Sequence, residues 1–161
     1  MIDTKHIRTI VVKGLKEYLG IPVIRSNQNK KPSKYPYISY TITTPESENK
    51  GTFGVYEDGK DRKPVKQTWS VSSLSDDEDV CLENAEKARD WFEYVAHIYL
   101  TNNGIIVQSV TAVTNRDNVL TAEYEYKSGF DVVFYIMNEI ENRAMKTGEY
   151  MEIVDIEKGV K

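Results

Sequence analysis

Lys66-Gln-Thr-Trp-Ser-Val-Ser-Ser-Leu74 runs without a break into Ser75-Asp-Asp-Glu-Asp79, and that junction decides the fold. Residues 66–74 alternate with period two. This predicts a strand carrying Trp69 and Val71 on one face and Thr68, Ser70 and Ser72 on the other. Ser75 predicts a helix start, because its hydroxyl and the Glu78 carboxylate stand at the spacing of a capping box. Residues 76–79 are all acidic and lie at the positive end of that helix's dipole. Val80, Ala85, Ala88, Phe92, Val95 and Ala96 follow at helical spacing, and Leu82, Trp91 and Leu100 widen the stripe. Gly104, after Asn102 and Asn103, predicts a left-handed stop. The stretch therefore reads as one strand feeding one long helix over 75–100, with no reactive constellation in it.

Toward the N-terminus, Thr4–Leu19 predicts a first helix. Ile7, Ile10, Val11, Leu15, Tyr18 and Leu19 form its apolar stripe, and Gly20 is placed to end it. Residues 21–24 are a short extended piece that Pro22, lacking an N–H, confines to an edge or a connector. Residues 25–36 read as a polar, lysine-rich loop. Residues 37–44 predict a strand with Ile38, Tyr40 and Ile42 on one face and Tyr37, Ser39 and Thr41 on the other. Residues 45–65 read as a connection of about twenty residues, longer than a compact domain usually tolerates. Phe53, Val55 and Tyr56 predict a small hairpin at its centre, with Glu57-Asp-Gly59 as the turn.

Toward the C-terminus, residues 105–114 predict a β-branched strand and 115–118 its turn. Over 119–136 the apolar positions Leu120, Ala122, Tyr124, Tyr126, Phe130, Val132, Phe134 and Ile136 are all even-numbered and so share one strand face. The odd face starts polar and turns apolar at Val133, Tyr135 and Met137. That predicts a second half covered on both sides. Gly129 predicts a bulge or bend in so long a strand. Residues 138–146 read as a short helix. The whole reads as an α+β fold: a mainly antiparallel sheet of about four to five strands with two long helices packed on it. Residues 1–137 form a single domain, and 138–161 form a C-terminal arm.

A chain of 161 residues suffices for one domain with a substantial core. No run approaches the roughly 18 apolar residues that span a bilayer, and Met1–His6 shows no secretory pattern. A single cysteine, Cys81, excludes an internal disulfide and fits a reducing compartment. On the helix it reads as a small buried apolar residue. The net charge of −4 is uneven: residues 1–80 carry 13 basic against 11 acidic side chains, and residues 81–161 carry 8 against 14. Overall acidity argues against nucleic acid as the main partner.

The residue types that carry chemistry are sparse. His6 and His97 sit on separate helices without a second ligand at metal spacing. Asp76-Asp-Glu-Asp79 lacks the loop glycine and alternating oxygens of a cation loop. Gly51-Thr-Phe-Gly54 lacks the lysine of a phosphate loop, and no serine occupies a nucleophile elbow. No catalytic residue, metal ligand or cofactor is assigned. The tyrosines on the last strand share a face with Leu120 and Phe130, so packing or a protein interface explains them better than base stacking. A nucleic-acid or ligand-binding module is the competing class. Salt-dependent polynucleotide binding would be its mark, as a pocket of convergent titratable groups would be an enzyme's.

One resemblance covers residues 5–137. A leading helix is followed by Gly20-Ile-Pro-Val-Ile-Arg25 and Pro36-Tyr-Ile-Ser-Tyr40. Gln67-Thr-Trp-Ser-Val71 then leads to the long helix, and Asn115-Arg-Asp117 precedes Tyr124-Glu-Tyr-Lys-Ser-Gly-Phe-Asp131. In this order the chain resembles the phage neck and tail-terminator proteins of tailed phages and Gram-positive prophages. The resemblance implies a non-enzymatic virion protein, made in the bacterial cytoplasm, with an α+β fold. It implies a homo-hexameric ring on the last ring of the tail tube, which halts tube polymerisation and meets the neck or head connector. A head-completion or minor tail protein is the nearest alternative. The expected contact residues for neighbouring subunits or the tube are Phe53, Val55, Tyr56, Arg62, Lys63, Val133 and Tyr135, from the long loop and the last strand. No membrane partner is implied.

Overall fold

The computed structural model describes residues 1–27, 34–47, 54–55, 60–119 and 124–141. Its elements are helix α1 (Thr4–Leu19), strands β1 (Val23–Arg25), β2 (Tyr37–Ser47), β3 (Gly54–Val55) and β4 (Lys60–Ser75), and helix α2 (Glu78–Asp90). A π turn (Trp91–Val95), helix α3 (His97–Asn102) and strands β5 (Ile106–Val110), β6 (Thr114–Asn115), β7 (Asn118–Val119) and β8 (Tyr124–Glu141) complete them. The fold is α+β. The sheet runs β1-β2-β4-β8-β5, antiparallel except for the parallel β1–β2 pair at its edge. β3 hairpins onto β4, while β6 and β7 extend the neighbour of β8.

Strand alternation separates two faces. Trp69 pairs with Val132, Val71 with Phe130, Val65 with Ile136, and Ile38 and Tyr40 continue this inner face on β2. All of these are buried. Ile7, Val11 and Leu15 of α1, and Ala88, Trp91, Phe92, Ala96 and Leu100 of the second helical segment, close the same core. Phe92 meets Phe130 and Phe134 with ring centroids 5.9 Å away in each case. Gly14 lets α1 approach closely: a Cβ there would lie 2.6 Å from Tyr99 Cε1 and 2.7 Å from Trp91 Cζ2. One buried polar side chain is bonded at both its nitrogen and its oxygen. Gln67 donates to the Pro45 carbonyl at 2.9 Å and accepts the Trp69 indole N–H at 2.7 Å. The β2–β4 register shifts twice around Pro45, and Gln67 supplies the partner that its carbonyl needs there.

Several expectations are corrected. Ser75 is not the helix cap: it is the last residue of β4, and its hydroxyl accepts the Asp77 N–H at 3.1 Å. Asp77 caps α2, accepting from the N–H groups of Asp79 and Val80. A carboxylate two residues further on reaches the first turn once the strand has run its full length. The single helix over 75–100 is interrupted by the π turn, where the Ala96 N–H bonds to the Trp91 carbonyl five residues back. The extra residue turns Val95 outward while keeping Trp91, Phe92, Ala96 and Leu100 inward. Leu82 and Tyr18 are likewise exposed rather than part of their stripes.

The connection after β2 is shorter than it reads, because residues 60–65 already belong to β4. Val55 lies in the β3 hairpin; Phe53, Tyr56 and the Glu57–Gly59 turn fall outside the described residues. Gly129 makes no bulge, since β4 and β8 pair in unbroken register from Lys60–Glu141 to Ser75–Tyr126. The helix expected over 138–146 is strand as far as Glu141. Gly20 and Gly104 do end their helices with positive φ, 68° and 78°.

Candidate assembly surface

Among the described residues, the chemistry-bearing side chains do not converge. His6 and His97 are both exposed, on different helices. Among the described residues no group of three or more His, Cys, Asp or Glu side chains is placed to hold a metal. Cys81 is buried with its thiol against the Ser73 carbonyl at 3.2 Å, and burial pushes its pKa up, which favours the unreactive thiol. A cleft of about 170 Å³ between α2 and the β6–β8 region is lined by Glu78, Leu82, Asn115 and Tyr126 among others. It is too small for the usual ligand pocket.

What the fold does present is the outer face of the sheet. All three helices contribute to the single core on the other side. The upper part of the outer face is clamped by the segment after β5. Arg116 lies across β8 to reach Ser70 Oγ at 2.7 Å, Ser72 Oγ at 3.3 Å and Asp131 at 3.2 Å. Gly129 makes room for it: a Cβ there would stand 2.9 Å from the guanidinium and 2.5 Å from the Val71 carbonyl oxygen. The glycine expected as a bend is thus a crossing point. Beside it, Asp117 accepts the Lys127 N–H at 2.8 Å and takes bonds from Asn115 Nδ2 and the Tyr124 hydroxyl, each 3.0 Å. These donors, the backbone N–H first, hold its carboxyl below the usual carboxylate range.

Among the described residues, the lower part of the face is open. Val133 and Tyr135 are half-buried on it; Met137, two residues further along β8, and Ile106, paired with Tyr135, are 45 % and 51 % exposed. This corrects the expectation of a strand covered on both sides. Lys66 Nζ sits 5.6 Å from the centre of the Tyr135 ring, and Arg62 bonds Glu139 at 2.9 Å. That bond, followed by the charges of Arg62 and Lys60, lowers the Glu139 pKa.

The seven expected contact residues do not share one surface. Arg62, Val133 and Tyr135 lie on the open face; Lys63, of opposite parity and paired with Asn138, points to the helix side. Only the backbone of Val55 is described, while Phe53 and Tyr56 lie outside the described residues. Sequence spacing does not reveal Ile106 as a member of this face, because its place depends on the β5–β8 register. Nor does it reveal Tyr94 and Ile98, each 71 % exposed, because the π turn hides their phase.

Among curated proteins none matches the chain significantly. A family model described as phage neck terminator protein matches residues 9–160, nearly the whole chain and including both the clamp and the open face. The chain belongs to the phage neck terminator protein family and is a structural neck component of a bacteriophage virion.

Proposed function

We propose that this neck protein forms a homo-hexameric ring on the last ring of the tail tube. There it stops tube polymerisation and offers its far side to the neck or head connector. The family match over residues 9–160 carries this reading. The open sheet face supports it, because exposed large apolar groups beside charged ones are what a subunit buries on assembly. Val133, Tyr135 and Arg62 serve that contact from the sheet. Phe53, Val55 and Tyr56 serve it from the hairpin, with Lys63 at the hairpin's base. The 1–137 unit forms the ring, and residues 138–161 are its C-terminal arm. The protein is synthesised in the host cytoplasm and acts in the virion; among the described residues no helix is long and apolar enough to cross a membrane.

The test is a phage or prophage lacking this gene, complemented in trans. Electron micrographs of its lysates should show tails of abnormal length or tails without heads, and the wild-type gene should restore joined particles. Normal joined virions without the gene would refute the terminator role. Filled heads lacking a completed portal beside normal finished tails would instead assign the protein to head completion.

A further inference from the structure

We propose that neighbouring copies pack sheet to helix. The open sheet face of one copy, around Tyr135 and Met137, would seat the outer side of the second helical segment of the next, around Tyr94 and Ile98. The inference rests on the ring reading above and names the surfaces that make the ring. Among the large apolar side chains that stand exposed, two sets lie on opposite sides of a two-layer molecule. On the sheet side these are Met137 and Ile106 around the half-buried Tyr135. On the helix side the π turn pushes Tyr94 and Val95 outward, and Ile98 follows one turn later on α3.

Two different surfaces on opposite sides make a heterologous contact. Such a contact propagates by rotation and can close into a ring, whereas a face that pairs with itself ends at a dimer. The charges agree. Along α2 and the π turn, Glu83, Glu86, Asp90 and Glu93 outnumber Lys87 and Arg89. The Glu83–Lys87 and Arg89–Glu93 pairs leave Glu86 and Asp90 as excess negative charge. On the sheet face, the Lys60 and Arg62 contacts with Glu139 and the Arg116–Asp131 pair offset one another, and Lys66 stands beside Tyr135 as positive charge at the centre of the patch. Opposite balances steer the two faces together and oppose sheet-to-sheet or helix-to-helix pairing.

The test uses Met137→Cys and Ile98→Cys in the full chain, with Cys81→Ala as background and melting curves as the folding control. Purified protein and tails from complemented lysates are oxidised and run without reductant. With both substitutions on one chain, a covalent ladder rising to the ring is expected. An equal mixture of the two single variants should stop at dimers, and each single variant alone should give monomer. Dimers from Met137→Cys alone would mean that the sheet face pairs with itself and would overturn the proposal. If the thiol introduced by Met137→Cys is shielded from a labelling reagent in the monomer and no ladder forms, residues 142–161 of the same chain cover the face, and that overturns it too. Rings visible by microscopy without a ladder overturn the assigned surfaces and leave the ring standing; absence of rings both in solution and on tails overturns the ring itself. As an independent arm, Tyr94→Glu should weaken association about tenfold or more with an unchanged melting temperature.

Discussion

Phe92 is fully buried where the helical segment meets the sheet. Its ring meets Trp91 edge-on at 4.9 Å from one side and Phe130 and Phe134 of β8 from the other. Phe92→Ala should therefore cost about 3–5 kcal/mol, read as a lowered denaturant midpoint at constant slope. An unchanged midpoint would mean that the two layers are not joined there. Asp117 acts at the other end of the polarity scale. Its folded pKa lies below its ordinary value of 3.8, so its stabilising effect is fully present above that value and is lost as pH falls through the folded one. Asp117→Asn should lower stability at neutral pH and flatten its fall in the acid range below about 4, checked by melting curves across pH. An equal acid fall in both proteins would show that other carboxylates dominate. Residues of this kind divide by legibility. Phe92 and Cys81 follow from spacing alone. The Arg116 crossing of Gly129, and the fit of Gly14 against Tyr99, depend on partners far along the chain and leave no local pattern.

At the scale of elements, the sequence reveals existence and face better than ends. Helix α1 agrees with its expected range because an apolar stripe and a left-handed Gly20 mark both its length and its stop. The start of α2 is harder to read, because Ser75 and Asp77 are both good caps. The choice falls to β4, which pairs with β8 through Ser75 and leaves no room for a helix before it. Asp77→Ala should cost about 1 kcal/mol and Ser75→Ala less, by thermal or denaturant unfolding. The reverse order would return the cap to Ser75. The π turn is illegible for a different reason: an added residue shifts the helical phase, and a periodic reading averages over the shift. It also predicts its own removal. Deleting the exposed Val95 should convert the five-residue bond from Ala96 to Trp91 into an ordinary four-residue one, with Leu100 still facing inward. Stability should change by less than about 2 kcal/mol. Deleting Glu86 from the regular part of α2 should be far worse, since every later side chain would rotate by about 100°. Equal damage from both deletions would show that the π turn has a packing role of its own.

At the scale of the whole molecule, one side of the sheet packs on the helices to make the core, and among the described residues the other side is partly exposed. The β3–β4 hairpin lies at the lower end of that open side, where Gly54 pairs with Arg62 and Val55 with Asp61, next to the Arg62–Glu139 contact. Among the described residues, the buried core closes between the helices and strands β2, β4 and β8, so the hairpin is expected to add little to the stability of the subunit. Its sequence nevertheless carries Phe53, Val55 and Tyr56, and apolar groups on a surface hairpin would be costly to order without a partner to cover them. Replacing residues 48–59 with a short Gly/Ser turn should therefore leave the melting temperature within a few degrees of wild type. The same change should weaken ring formation or its seating on the tube. In lysates it should give overlong or headless tails, counted by electron microscopy against the wild-type gene. Fully joined particles of normal length would remove the hairpin from the contact. A collapsed melting temperature would place its apolar residues in the subunit's own core, and the sheet face alone would then have to hold the ring together.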